Sequence, residues 1–298
     1  VNKYLATIQW KVDSNWDNQL LRLFLREYCH ISKRALADIK FNGGRILLNG
    51  KEVTVRRVIK EGDEVRVLLP SEKVSPSIQP EDLELEIAFE DEHLLVINKK
   101  AGMPTIPSRE HLDYTLANAV LGYYVKKGIS ATFHAVNRLD KDTSGLLIVA
   151  KHRLAHDRLS KLQQEGKLQR YYTALVTGVI KKKSGTIDAP IGRNLDSIIT
   201  RQVRDDGKRA ITHFNVKSIH KDTTLVEIKL ETGRTHQIRV HFSYLGHPLL
   251  GDELYGGTRD QIKRHALHCH YITFQHPFEA RILKVYSELA ADISRLTE

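Results

Sequence analysis

The run Leu146-Leu147-Ile148-Val149-Ala150, between Gly145 and Lys151, is apolar at every position. A strand reads this way when neither of its faces meets water, so it belongs in the interior of a covered sheet. The segment before it, Phe133-His134-Ala135-Val136-Asn137-Arg138-Leu139-Asp140-Lys141-Asp142-Thr143-Ser144, is polar and cannot be buried the same way. It is expected to be a loop held at the strand's edge. Within it Asp140 has Arg138 two residues before and Lys141 directly after. Cations that near would keep the carboxylate ionised and aim it. A plain surface loop closed by a Thr-Ser-Gly turn fits the same spacing.

The chain has 298 residues, enough for one large domain and a small one. Its net charge of +10 points to a polyanion, either nucleic acid or an acidic membrane surface. No apolar run reaches the roughly 18 residues that a membrane-spanning helix needs. The opening residues lack a signal-peptide core, and Cys29 and Cys269 are too few for a disulfide framework. The expectation is therefore a cytoplasmic protein, taken as a monomer, that binds nucleic acid and not membrane.

Along the chain, Gln19 to Tyr28 carries Leu20, Leu21, Phe24, Leu25 and Tyr28 at helical spacing. Ser32 is a suitable N-cap for a second helix ending at Gly43-Gly44. Arg45 to Leu48 and Glu64 to Leu69 read as strands, with Asn49-Gly50 a tight turn. Lys33, Arg34, Lys40, Arg45, Lys51, Arg56, Arg57 and Lys60 run through this unit against few acids. They make either a solvated charged face or a phosphate-tracking surface. Pro70, Pro76 and Pro80 then mark a linker over 71–82, expected to act as a semi-rigid tether.

From residue 83 the pattern is strand-rich. Helices are expected at Thr115–Lys127 and Arg153–Gln164, with Gly128 and Gly166 just past their ends. Strands are expected at Leu85–Phe89, Leu94–Asn98, Tyr171–Val176, Ile187–Ile191, Ala210–Ile219, Thr224–Leu230 and Tyr271–Gln275. Many strands with a few helices predict an α+β domain on a mixed, largely antiparallel sheet. Thr235 is placed to cap a further helix ending at Gly246, with Ile238, Phe242 and Leu245 inward and His236, Arg239 and Ser243 on another face.

The segment NRLDKDTSGLLIVAK resembles the signature of the RluA family of RNA pseudouridine synthases, with Asn137 where that family usually has His. NKKAG at 98–102 resembles its N-K-P-A-G loop, and Arg170 to Ala174 its [KR]-x-Y-x-A strand. TGRTHQIRVHFSYLGHPLLGDELYGG, from 232 to 257, resembles its third motif. Residues 14–70, with GRILLNGK and EGDEVRVLL, resemble the alpha-L RNA-binding module. The resemblance implies a synthase domain over 83–298 and isomerisation of uridine to pseudouridine, most like enzymes acting on large-subunit ribosomal RNA. It implies Asp140 as the essential carboxylate, Tyr172 stacked on uracil, and Arg239 paired with the carboxylate. Arg234 has a supporting part, Arg138 fills the gap left by the flipped base, and Leu267 is an apolar wall. Lys33, Arg34, Arg45, Lys51, Arg56 and Arg57 then become RNA contacts.

The reaction changes no oxidation state and consumes no water, so no cofactor and no metal are expected. Arg264-His265-Ala266-Leu267-His268-Cys269-His270 offers metal-binding side chains, but the H-x-E and P-C-x-x-C pattern of a zinc deaminase is absent. Arg193, Arg201, Arg204, Lys208 and Arg209 form a polar excursion that is either a solvated loop or an RNA-gripping one, and the second reading is favoured. Transfer RNA as the substrate is one rival reading. A non-catalytic RNA-binding ribosome-assembly factor is the other, and it would be marked by loss of Asp140, Tyr172 or Arg239.

Overall fold

The computed structural model describes residues 4–74, 76–108, 111–197 and 199–297. Its first unit is a four-stranded antiparallel sheet made of β1 (Thr7–Lys11), β2 (Arg45–Leu48), β3 (Lys51–Glu52) and β4 (Glu64–Leu68), in the order β1-β4-β2-β3. β1 lies ahead of residue 14, so the packed unit starts earlier than the basic composition shows. The expected helix over 19–28 is a short α1 (Leu21–Leu23) running into a π-helical turn, Phe24–Tyr28, closed by the Cys29 N–H on the Phe24 carbonyl. α2 (Lys33–Phe41) starts on Ser32, whose hydroxyl accepts from the Ala35 N–H. Asn49 and Gly50 both adopt positive φ, as the tight turn between β2 and β3 requires.

The second unit is a ten-stranded sheet. Its strands are β5 (Ile87–Glu90), β6 (Leu94–Lys99), β7 (His134–Ala135), β8 (Ser144–Ala150), β9 (Gln169–Thr177) and β10 (Ser184–Asp188), followed by β13 (Ile211–His220), β14 (Thr223–Leu230), β15 (Leu267–Gln275) and β16 (Ile282–Tyr286). The order is β10-β13-β14-β9-β15-β8-β6-β5, with β16 also on β15 and β7 also on β8. Only β8 and β15 run parallel among the described residues, so the fold is α+β with a mixed, largely antiparallel sheet. All seven residues of β8 are buried, as the unbroken apolar run predicts. At the β8–β15 crossing Gly145 has φ +108°, and a Cβ there would lie 2.3 Å from the Cys269 carbonyl oxygen. Only glycine permits that approach.

α3 (Leu116–Lys127) begins in a capping box of Thr115 with Asn118, and Gly128 ends it in the left-handed region. α4 (Arg153–Gln164) matches its predicted bounds and packs on β8. In the polar excursion at 193–209, β11 (Ile191–Arg193) and β12 (Arg201–Val203) pair in antiparallel fashion. α5 (Gln237–Tyr244) and the short α6 (Ala291–Ser294) complete the chain. Thr235 is not the cap of α5. His236 holds that position at φ 57°, and the buried Gln237 amide anchors the turn by accepting from the Arg234 N–H at 2.9 Å. Leu245 falls at the end of α5 and is 40% exposed, whereas Ile238 and Phe242 are buried as expected.

Segment 71–82 is no free tether. Glu72 donates its N–H to the Ser130 carbonyl, and its carboxylate accepts from His134 Nε2 (2.6 Å) and from the Arg153 N–H at the start of α4 (2.9 Å). The Glu81 carbonyl lies so close to Gly122 that a Cβ there would fall 1.9 Å from it. The first unit is docked as well. Arg158 on α4 donates to the carbonyls of Cys29 and Pro277 and lies over the rings of Phe278 and Trp10, while Leu154 joins the core of the small unit. Prolines and absent periodicity predict a tether because neither registers partners distant in sequence.

Burial pushes the Glu72 carboxyl up, but hydrogen bonds from His134, Arg153 and Thr132 outweigh this and leave it below its ordinary value. Its stabilising contribution is therefore complete above the ordinary carboxylate range and is lost as pH falls through the lowered value. Glu72→Gln is expected to cost about 1–3 kcal/mol at pH 7. In urea unfolding, that difference from wild type should shrink toward zero below about pH 4. A difference that stays constant with pH would show that the charge of Glu72 is not what docks the segment.

Candidate active site

A cavity of about 430 Å³ opens where the loop before β8 meets β9, the start of β15 and the start of α5. Asp140, Tyr172, Arg239 and Leu267 all line it, with Arg138 and Arg234 exposed on its wall. Arg239 is only 7% exposed. Its Nε and Nη2 donate to the two carboxylate oxygens of Asp252, at 2.7 and 2.8 Å, and its Nη1 donates to Asp140 Oδ2 at 3.2 Å. Both ends of the guanidinium are thus fixed. The cation that holds Asp140 is therefore Arg239 and not its sequence neighbours. Arg138 is exposed, and Lys141 turns its amine to His111 Nε2 at 3.1 Å.

Side chains from other elements hold the Asp140 loop. Asn137 Oδ1 accepts from the Ile148 N–H at 3.0 Å, pinning the loop to β8. The Thr105 hydroxyl donates to the Leu139 carbonyl at 2.7 Å. Lys99, 1% exposed, donates to the carbonyls of Lys100, Met103 and Lys141, joining the 99–103 loop to the residue after Asp140. Burial lowers the Lys99 ammonium to about 7. Arg264 donates to the Asp142 carbonyl and is itself held by Asp292 of α6.

Tyr172 is 3% exposed, and burial pushes its phenol well above the ordinary value, with the Arg170 charge opposing. At neutral pH it presents a ring face and a hydroxyl, not a phenolate. His236 lies 3.8 Å from Asp140 Oδ2 and shares a hydrogen bond with the Tyr255 hydroxyl at 2.7 Å. Burial lowers its imidazole, with Asp140 opposing. As the helical spacing predicts, His236, Arg239 and Ser243 share one face, and all three meet Tyr255. Sequence reading missed Asp252, Lys99, Tyr255 and Arg264. Asp252 and Lys99 fall inside motifs already noted, which was the available signal for them.

The histidines of the 264–270 segment face separate partners: His265 meets Thr143, His268 meets Ser144 and His270 meets Thr173. Among the described residues, Asp91, His276 and Glu279 bring donor atoms within 4.8 Å of one another. His276 is already engaged, by Asp91 Oδ2 at 2.9 Å and by the Phe278 and Glu279 N–H groups. No helix among the described residues is long and apolar enough to cross a membrane. Lys33, Arg34, Arg45, Lys51, Arg56 and Arg57 are all exposed on the first unit, and Arg45 pairs with Glu52 at 3.5 Å.

Residues 93–244 match the family model described as RNA pseudouridylate synthase. A Bacillus subtilis protein named "Uncharacterized RNA pseudouridine synthase YjbO" is 52% identical over 266 residues, 89% of this chain and 94% of its own. The "Ribosomal large subunit pseudouridine synthase D" of Pseudomonas aeruginosa is 39% identical, over 84% of this chain and 82% of its own. The solved structure titled "Human RNA Pseudouridylate Synthase Domain Containing 1" superposes with a TM-score of 0.58 at 29% identity, covering 69% of this chain and 83% of that one. The chain belongs to the RNA pseudouridine synthase family, whose members are isomerases acting on RNA.

Proposed function

We propose that the cavity receives a uridine turned out of the RNA and that Asp140 is the carboxylate essential to its isomerisation. The observation that carries this reading is the convergence of Asp140, Tyr172, Arg239 and Leu267 on one cavity, with Arg239 fixed between Asp140 and the buried Asp252. The bond between uracil N1 and ribose breaks, the base turns, and it rejoins through carbon 5, which loses its proton while N1 gains one. Asp140 must be ionised to add to ribose or base or to take a ribose proton. Arg239 donates to Asp140 Oδ2 and so fixes how the carboxylate is presented to the substrate. Tyr172 gives the ring on which uracil stacks, and Leu267 walls the pocket. Extruding the base costs a few kcal/mol. Arg138, exposed beside Asp140, fills the gap by stacking, and Arg234 supports the same wall.

The reading extends to large-subunit ribosomal RNA, because relatives covering most of the chain carry that substrate in their names. Residues 14–70 are read as an alpha-L module whose exposed Lys33, Arg34, Arg45, Lys51, Arg56 and Arg57 track phosphates, with 71–82 a docked connector and 83–298 the synthase domain. Mapping pseudouridines in ribosomal and transfer RNA of cells lacking the chain decides the substrate. A missing site in transfer RNA alone would overturn the ribosomal assignment.

Asp140→Ala should abolish pseudouridine formation while RNA affinity stays within about threefold, since phosphate contacts dominate binding. Any residual turnover removes Asp140 from its role. Asp252→Ala should lower kcat about 10- to 100-fold with little change in RNA affinity, because it frees a buried guanidinium at the loss of a charge-assisted pair. An unchanged kcat would show that Asp140 alone orients Arg239. Changing Lys33, Arg34, Lys51, Arg56 and Arg57 together to Gln should reduce the log–log salt slope of RNA binding by about 0.7 to 0.9 for each phosphate that these cations neutralise. An unaltered slope would mean that these side chains do not touch RNA.

A further inference from the structure

Arg170 stands two residues before Tyr172 on β9, so the two side chains project from the same face of the strand. It lines the cavity and is only 7% exposed. Among the described residues no carboxylate is paired with its guanidinium and no acceptor takes a hydrogen bond from it. The contrast is with Arg239, also buried, which two carboxylates hold. The guanidinium lies against the backbone of Gly233, where a Cβ would fall 2.8 Å from Nη2. Gly233 also lines the cavity, directly before Arg234.

Arg170 thus places on the cavity wall a cation largely screened from bulk water and with no counter-charge of its own, an arrangement that an arriving anion relieves. A protein retains one where an anion arrives from outside, and the anion that RNA brings into such a cavity is its phosphodiester. We propose that Arg170 binds a backbone phosphate next to the extruded uridine, which makes it a substrate-positioning residue. The inference rests on the reading of the cavity as the uridine site. Three features fit this role. A planar guanidinium can donate two parallel hydrogen bonds to one phosphate and so fix its orientation as well as its position. Arg239 is already committed to Asp140 and Asp252, so it is not free to take the phosphate. The absence of a side chain at Gly233 leaves Nη2 the room it occupies. With the phosphate on Arg170 and the base on the Tyr172 ring, one strand sets both ends of the nucleotide relative to Asp140.

The test is a cycle between protein and RNA. It uses an RNA oligonucleotide that the wild type converts, in which each phosphate flanking the target uridine is replaced in turn by a neutral methylphosphonate. For the wild type, one of these replacements should raise KM about 10- to 100-fold with a smaller effect on kcat. Arg170→Gln should show the same rise on unmodified RNA and no further rise with that methylphosphonate. Its log–log salt slope should fall by about 0.7. Arg170→Lys should recover part of the affinity, and Gly233→Ala should weaken binding by crowding Nη2. If Arg170→Gln does not fold, as read by thermal unfolding, Arg170→Lys carries the same comparison. Multiplicative losses for every methylphosphonate, with wild-type turnover intact, overturn the phosphate assignment alone. So does a shifted pH profile of kcat at constant KM, which would assign Arg170 to the Tyr172 phenol. A wild type that converts no uridine in any RNA overturns the reading of the cavity itself.

Discussion

The site depends on one buried guanidinium shared between two carboxylates. Arg239 on α5 is taken out of water by the fold, and neither Asp140 nor Asp252 alone meets all its donors. Asp252 takes the bidentate edge and leaves Nη1 directed at Asp140. This geometry joins three distant parts of the chain: the loop before β8, the start of α5, and the turn after it. A buried ion pair of this kind is poor evidence for stability, because desolvation offsets much of its attraction. Its value lies in direction, since a carboxylate held at one oxygen still offers the other to a substrate.

The carboxylate is only as well placed as its loop, and the loop is fixed by backbone carbonyls. Lys99, Thr105 and Arg264 each donate to a carbonyl within one or two residues of Asp140. None of these three side chains need touch a substrate to affect the chemistry. Through Arg264 the restraint reaches α6, because Asp292 holds the same guanidinium that reaches the Asp142 carbonyl. The β8–β15 crossing supplies the base for this arrangement, and it exists because Gly145 lets the two backbones approach.

Local pattern made some of this legible and left the rest hidden. The apolar run 146–150 marked the central strand, because burial on both faces removes the polar alternation that an exposed strand shows. Ser32, Gly128 and Gly166 marked helix ends by capping chemistry that acts within a few residues. Thr235 misled because the turn into α5 is fixed by the buried Gln237 amide, which reaches back to the Ile211 carbonyl. Such a partner lies beyond any local pattern. Asp140 could be picked out by its neighbours, yet the wrong cations were credited with holding it. Lys141 was diverted to His111, while Arg239 arrived from 99 residues away. Asp252 and Lys99 lie inside the noted motifs, but local pattern does not single them out there, because they act by orienting other groups.

Docking of the first unit changes what its basic residues can do. On a free tether, those cations would raise the local concentration of RNA without specifying a geometry. Here Arg158 inserts between the units, stacked on Phe278 and bonded to the Cys29 carbonyl, and Glu72 fastens the connector to the start of α4. The far end of that helix reaches the cavity through Gln163. A helix of 12 residues is a rigid spacer of about 18 Å. On the proposed reading, phosphate contacts on the first unit would stand at a set distance from Asp140. An RNA that reaches both must present its target uridine and a second backbone segment at that spacing, and a folded RNA holds such a spacing better than a flexible strand. On that reading, selection among uridines would come from the shape of the RNA, while the cavity would supply the chemistry common to all of them.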